Sequence, residues 1–186
     1  MEASGPTALS RLTHHRWALP VLAHVHRSRG CKFVSLSRQL GVSPPALKRA
    51  LDRLAELDLV VRNPGYGHPM RPEYVLGPRG EAAGERAEAL VDWMRADALE
   101  ADLLKKWQLP TLLAVGGEER RFGEIRTALS GASPRALSLA LKSHAGLALI
   151  ERDVGADYPP IPIYRATTRA RPGYEAAGAL ADWLGR

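Results

Sequence analysis

Apolar residues recur in blocks along the chain, and the spacing within each block assigns an element. Over 17–26, Trp17, Val21, Leu22 and Val25 fall at helical spacing. A break at 28–30 ends that stretch. Phe33, Leu36 and Leu40 share one face of a short second helix, closed by a tight turn at Gly41-Val42. Ser43 then suits an N-cap and Pro44 the first helical position. Ala46, Leu47, Ala50, Leu51 and Leu54 form an apolar stripe on the helix that follows, which completes helix-turn-helix spacing. Val60-Val61-Arg62 predicts a strand, 63–72 a loop rich in Gly and Pro, and 73–76 the returning strand. A hairpin after the second helix of a helix-turn-helix is a wing. A last helix runs from about Arg79 to beyond Trp93, with Ala83, Ala87, Leu90, Val91 and Met94 inward.

The same order then returns. RWALPVL at 16–22 answers to KWQLPTL at 106–112, GVSPPALKRAL at 41–51 to GASPRALSLAL at 131–141, and ALVDWMR at 89–95 to ALADWL at 179–184. The offset is 90 for Trp17/Trp107, Ser43/Ser133, Tyr74/Tyr164 and Trp93/Trp183, and 89 for Phe33/Phe122. A constant offset over almost the whole chain means duplication. In the second copy the short helix is expected at 122–129, the capped helix at 135–144, and the hairpin strands at 149–152 and 163–165. The expected layout is a flexible N-terminus (1–10), a winged-helix domain (11–96), a stiff helical junction (97–105) and a second winged-helix domain (106–186). The fold class is mainly α with small β-hairpin wings (α+β), as two tandem winged helix-turn-helix domains.

Composition narrows the setting. With 186 residues, 45% hydrophobic and 25% charged, the chain is globular rather than disordered or fibrous. No apolar run approaches the ~20 residues of a membrane span, and no basic segment followed by an apolar one opens the sequence. The single cysteine, Cys31, excludes an internal disulfide. An intracellular, cytoplasmic protein with no membrane partner is expected. A formal charge of +6 and a pI near 9.8 make polyanions plausible partners.

The charges fall where double-stranded DNA would be read. Opposite the first apolar stripe stand Lys48, Arg49 and Arg53, with Asp52 between them. Arginine pairs bidentately with guanine edges, while Lys and Arg neutralise phosphates. The cap ends at Ser43 and Ser133 offer backbone N–H groups to a phosphate. Arg62, His68 and Arg71 flank or sit in the first wing. In the second copy the face holds Arg135, Ser138, Leu139, Lys142 and Ser143, with Arg152 on the wing strand. Leu139 stands where the first copy has Arg49, and Asp153 and Asp157 make the second wing acidic. Arg120, Arg121 and Arg126 could compensate. Two non-identical helices imply an asymmetric operator.

The matched segments also carry a family resemblance. Trp107-Gln-Leu-Pro-Thr-Leu-Leu113, Arg121-Phe-Gly-Glu-Ile-Arg126, Gly131-Ala-Ser-Pro134 with Ala136, Leu137 and Leu141, then Leu149-Ile-Glu-Arg152, Tyr164 and Asp182-Trp183 resemble the HxlR-type winged-helix transcription regulators of the MarR-like group. In the first copy Tyr74-Val-Leu-Gly-Pro-Arg-Gly80 resembles them best. The resemblance implies a DNA-binding regulator, most simply a repressor. Members of that family usually pair as homodimers on pseudo-palindromic DNA. Two copies in one chain therefore imply a covalent pseudo-dimer, either monomeric or paired again. The cysteine that precedes the first helix in some members has no counterpart here, because Cys31 follows that helix.

Other residues invite weaker readings. Trp17, Trp93, Trp107 and Trp183 suit core or inter-domain packing. They could alternatively line a cavity for an apolar or aromatic effector. His14, His15, His24 and His26 lack metal-ligand spacing, so no metal and no cofactor is expected. Cys31 reads as an inert thiol. No nucleotide-binding or hydrolase motif is present, and no enzyme activity is expected. The alternative to a DNA-binding regulator is a tandem winged-helix module that binds a small molecule or a protein and has weakened or lost DNA binding.

Overall fold

The computed structural model describes residues 5–63, 73–154 and 160–186. In chain order the elements are α1 (Gly5–Leu12), α2 (Ala18–Ser28), β1 (Cys31–Lys32), α3 (Phe33–Leu40), α4 (Pro44–Glu56), β2 (Val60–Asn63), β3 (Glu73–Leu76) and α5 (Gly80–Ala96). They continue with α6 (Glu100–Leu103), α7 (Gln108–Val115), β4 (Arg120–Arg121), α8 (Phe122–Ala128), α9 (Pro134–Gly146), β5 (Ile150–Val154), β6 (Pro162–Ala166), a single 3-10 turn (Thr168–Ala170) and α10 (Arg171–Gly185). Two compact units result. The first is Leu12–Ala98, and the second joins the segment ending at Arg11 to Leu99–Arg186.

In the first unit, Leu19, Leu22 and Val25 of α2 are buried together with Leu36, Leu47, Leu54, Leu59, Leu90 and Met94. All of these except Leu19 and Leu59 are positions the apolar spacing marked as inward. Burying such side chains is the main favourable contribution to each small core, worth about 1.5–3 kcal/mol apiece. The second unit repeats this with Leu109, Leu112, Val115, Ile125, Leu137, Leu141, Leu149 and Leu180.

Each hairpin is completed by a third strand that the sequence pattern did not reveal. The first sheet has the order β1-β3-β2, antiparallel throughout, with Tyr74 between Cys31 and Arg62. The second has the order β4-β6-β5, with Tyr164 between Arg120 and Arg152. The added strands are two residues long, too short for any alternation to show.

Two expectations about the ends of the first repeat differ from the structure. Residues 5–12 form the helix α1 rather than a flexible end. Ala8 and Leu9 are buried, and the Thr7 hydroxyl donates to the Ala128 carbonyl at 3.4 Å. A Cβ on Gly5 would lie 3.6 Å from the Ala181 Cβ and 3.8 Å from Leu113, so α1 rests on α7 and α10 of the second unit. The junction at 97–105 is not one stiff helix. The helix α5 stops at Ala96, Ala98 takes a left-handed φ of 55°, and α6 spans only four residues.

The two repeats solve one packing problem in opposite ways. In the first, α5 crosses α2 closely, and a Cβ on Gly84 would meet the His26 Cβ at 2.7 Å. In the second, α7 ends three residues sooner, and a tyrosine takes the place of that glycine. The Tyr174 hydroxyl lies only 2.6 Å from where a Cβ on Gly117 would sit.

Candidate nucleic-acid interface

The helices α4 and α9 are each thirteen residues long, begin with proline after serine, and bury the same side. From 41 to 60 and from 131 to 150 the succession of buried, half-buried and exposed residues is identical, position by position. The residues named from the sequence therefore occupy equivalent outer faces. Lys48, Arg49, Arg135, Ser138 and Lys142 are exposed.

Their electrostatics are not equivalent. The Lys48 ammonium donates to Asp52 at 2.6 Å, and Arg53, whose side chain is only 20% exposed, donates to Glu56 at 2.8 Å. Arg49 has no ion-pair partner among the described residues, which leaves its guanidinium the most available donor on α4. On α9, Arg135 and Lys142 likewise have no ion-pair partner among the described residues. Between them Leu139 is 58% exposed.

The caps differ as well. The Ser133 hydroxyl accepts the Ala136 N–H at 3.2 Å, as an N-cap should. Ser43 has the extended backbone of a cap, but its hydroxyl accepts no capping bond. Capping by the Ser43 side chain, expected from sequence, is thus not observed. Proline at the first helical position already fixes the entry φ and removes one unsatisfied N–H.

Beside each of α4 and α9 runs a hairpin. Arg62 and Arg152 are exposed on β2 and β5, each opposite a tyrosine of the central strand. A cavity of about 280 Å³ opens between α9 and the second hairpin, lined by Ser138, Leu141, Lys142, Ala145, Arg152 and Tyr164. The structure thereby brings Ser138, Lys142 and Arg152 around one groove. His68 and Arg71 of the first wing, and Asp157 of the second, lie outside the described residues. Arg120 pairs with Glu118 at 3.2 Å, so the cations that could offset Asp153 narrow to Arg121 and Arg126, both exposed.

The tryptophans are half-buried in all four cases. Arg16 lies over the Trp17 ring at 5.3 Å, and Lys106 over the Trp107 ring at 5.1 Å, a duplicated cation–π contact. The Trp107 ring edge also comes within 3.2 Å of where a Cβ on Gly131 would sit, in the turn that leads into α9. That contact was not foreseen, since a glycine before a capped helix signals only a turn.

Three polar side chains are buried where the first repeat is apolar. Gln108, Thr111 and His144 stand at the positions of Ala18, Val21 and Leu54. Burial drives the His144 imidazole down from 6.5 to about 4, so it is neutral at pH 7.

In the first unit, His26 Nδ1 contacts a Glu88 carboxylate oxygen at 2.7 Å. Arg27 bridges Glu88 and Asp92, tying α2 to α5. His26 first and Arg27 second hold the Glu88 carboxyl below its ordinary value. Burial pushes the Cys31 thiol up, which disfavours the reactive thiolate. Among the described residues, no group of three or more His, Cys, Asp or Glu is placed to hold a metal ion, and no helix is long and apolar enough to cross a membrane.

Comparison with known proteins matches this architecture. The HxlR-like helix-turn-helix family matches residues 12–101 and again 103–186. Among solved structures, a MarR-family protein from Porphyromonas gingivalis W83, described as a transcriptional regulator, aligns over 44% of this chain and 74% of its own. Its identity is 26% and its TM-score 0.36. No curated protein matches the chain. Two successive matches that together span nearly all its residues place the chain in the HxlR-like helix-turn-helix family, with the family's domain present twice in tandem.

Proposed function

We propose that this protein is a DNA-binding transcription regulator, a cytoplasmic repressor whose two units act as the halves of a pseudo-dimer. In this reading α4 and α9 enter the major groove, and the two hairpins lie along the flanking phosphates. One observation carries the reading. Helices at the helix-turn-helix position in both repeats bury identical faces and turn cations outward, with Lys48 and Arg49 on one and Arg135 and Lys142 on the other, while Arg53 lies largely covered beside Glu56. Arg62 and Arg152 extend each basic face onto the adjoining hairpin. The prolines that open both helices, and the Ser133 bond to the Ala136 N–H, leave the Ala46 N–H of α4 and the Arg135 N–H of α9 as the backbone donors a phosphate would meet there. An apolar or aromatic effector that meets Trp17, Trp93, Trp107 or Trp183 would act by shifting the population of binding-competent states.

Fluorescence anisotropy tests this, using duplex DNA from immediately upstream of the protein's own gene beside a scrambled duplex, each titrated with salt. Tight, salt-sensitive binding to the native duplex alone is expected. Failure to bind either duplex at low salt would sink the reading. A second reading, a ligand- or protein-binding module with weakened DNA binding, is favoured by exposed Leu139 and by Asp153 on the second hairpin. Tryptophan quenching by a small molecule, without DNA binding, would select it.

A further inference from the structure

Five equivalent positions of α4 and α9 distribute their charge in inverted arrangements. At five equivalent positions, α4 presents Pro45, Lys48, Arg49, Asp52 and Arg53, while α9 presents Arg135, Ser138, Leu139, Lys142 and Ser143. Three cations less Asp52 leave two positive charges at these positions of α4, one of them paired with the neighbouring Glu56, and Arg135 with Lys142 supply two on α9. On α4 the central position is a cation, Arg49, with Pro45 one turn before it and Asp52 one turn after. On α9 the central position is apolar, and the cations have moved to the flanks. Arg135 lies four residues before Leu139 and Lys142 three after, so all three share one strip of surface.

We infer that Leu139 is a specificity-determining residue that contacts the C5-methyl group of a thymine, while Arg49 at the equivalent point of the first repeat reads a guanine. The inference rests on the DNA-binding reading and adds the base preference of each half-site. A leucine side chain 58% exposed on a helix surface calls for an apolar partner. Arg135 and Lys142 on either side call for an anionic one, which disfavours an ordinary apolar protein surface. The thymine edge of the major groove answers both demands, because it is a methyl group framed by two phosphate backbones. Guanine answers Arg49, whose guanidinium can reach O6 and N7 together. The operator is then composite, with guanine at the centre of one half and thymine at the centre of the other.

The probe is a pool of duplexes randomised over about 30 base pairs, which accommodates two half-sites one helical turn apart. From the enriched sequence, each thymine is replaced singly by deoxyuridine, which deletes only the methyl group. Wild-type protein is expected to lose about fourfold in affinity at one thymine, the factor associated with one buried methyl. Leu139→Ala should be indifferent to that replacement. Leu139→Arg should shift selection at the same position towards guanine. The side chain is exposed, so both variants should keep the wild-type melting temperature, checked by circular dichroism. Enrichment of a sequence with no uracil-sensitive thymine, or a sensitivity that persists in Leu139→Ala, overturns this inference and leaves DNA binding standing. If no duplex is enriched, the DNA-binding reading falls, and this inference falls with it.

Discussion

The His144 imidazole donates through Nε2 to the Gln108 carbonyl at 3.0 Å, joining α9 to the first turn of α7 inside the second unit. The other ring nitrogen, the Gln108 side-chain oxygen and the Thr111 hydroxyl are buried with no hydrogen-bond partner among the described residues. Burial holds His144 near 4, whereas the unfolded chain protonates near 6.5. Between those values the unfolded state binds the extra proton, so stability falls as pH drops from about 6.5 towards 4 and flattens below. The full loss is roughly 3 kcal/mol. Urea melts of wild type and His144→Leu across that window should show a steeper slope in wild type, the slope left in the variant near pH 4 belonging to carboxylates such as Glu88. Equal slopes would remove His144 as the cause.

Thr111→Val tests the same cluster from the other side. It replaces a buried hydroxyl without a partner by the residue type the first repeat uses at Val21. The substitution is expected to be neutral or to stabilise by about 1 kcal/mol. For a unit of this size that raises its melting temperature by roughly 4–8 °C. A clear fall in the melting temperature would mean the hydroxyl has a partner that matters.

Arg49 and Arg53 should separate in binding assays although both point from α4. Arg49→Ala should weaken specific DNA binding by about 1–3 kcal/mol and leave the melting temperature unchanged. Arg53 is three-quarters buried or more and bonded to Glu56, so Arg53→Ala should also lower stability through lost packing. Anisotropy and thermal melts on the two single variants distinguish them. A melting temperature lowered by Arg49→Ala would contradict the exposed placement.

Asp52 holds the Lys48 ammonium on the outer face of α4. An exposed pair at this spacing adds little to stability, so Asp52→Asn should leave folding unaffected. The released ammonium becomes available to a phosphate. If four to six phosphates are neutralised by wild type, its log–log salt slope is roughly −4 to −5, and the variant should be steeper by about 1. An unchanged slope would show that Lys48 takes no part in phosphate contact.

Gly80 opens α5 against the end of the turn that follows α4. A Cβ there would stand 2.2 Å from the Leu59 carbonyl oxygen and 3.0 Å from the Leu76 side chain. Gly80→Ala should therefore force backbone displacement and destabilise the first unit by roughly 1–3 kcal/mol, measured by denaturant melts. The equivalent position in the second repeat is Ala170, fully buried as the last residue of the 3-10 turn, so the two repeats enter their last helices differently.

The helices were legible because one face of each had to be buried, and that face writes itself as spacing, as Leu47, Ala50, Leu51 and Leu54 do. The repeat was legible because identical packing keeps the same residue types ninety positions apart. The strands β1 and β4 were not, since two residues carry no period and exist only through pairing with Tyr74 and Tyr164. The helix α1 was not, because the surface it covers comes from Leu113 and Ala181, far along the chain. Within the candidate interface, the positions of Lys48, Arg49, Arg135 and Lys142 followed from the stripe opposite them. Which cations are already occupied did not. That depends on rotamers, which join Lys48 to Asp52 and Arg53 to Glu56 while leaving Arg49 without such a partner.

The placement of α1 on α7 and α10 has a consequence for synthesis. The first unit, Leu12–Ala98, is an uninterrupted stretch and can close while the ribosome is still translating the rest. The segment before it cannot dock, because Ala181 is added about 170 residues after Arg11. At about 5–20 residues per second, α1 waits on the order of ten to thirty seconds with Ala8 and Leu9 uncovered. The helix α1 is thus made before the first unit yet seated only after α10, and its docking reports that Ala181 has been translated.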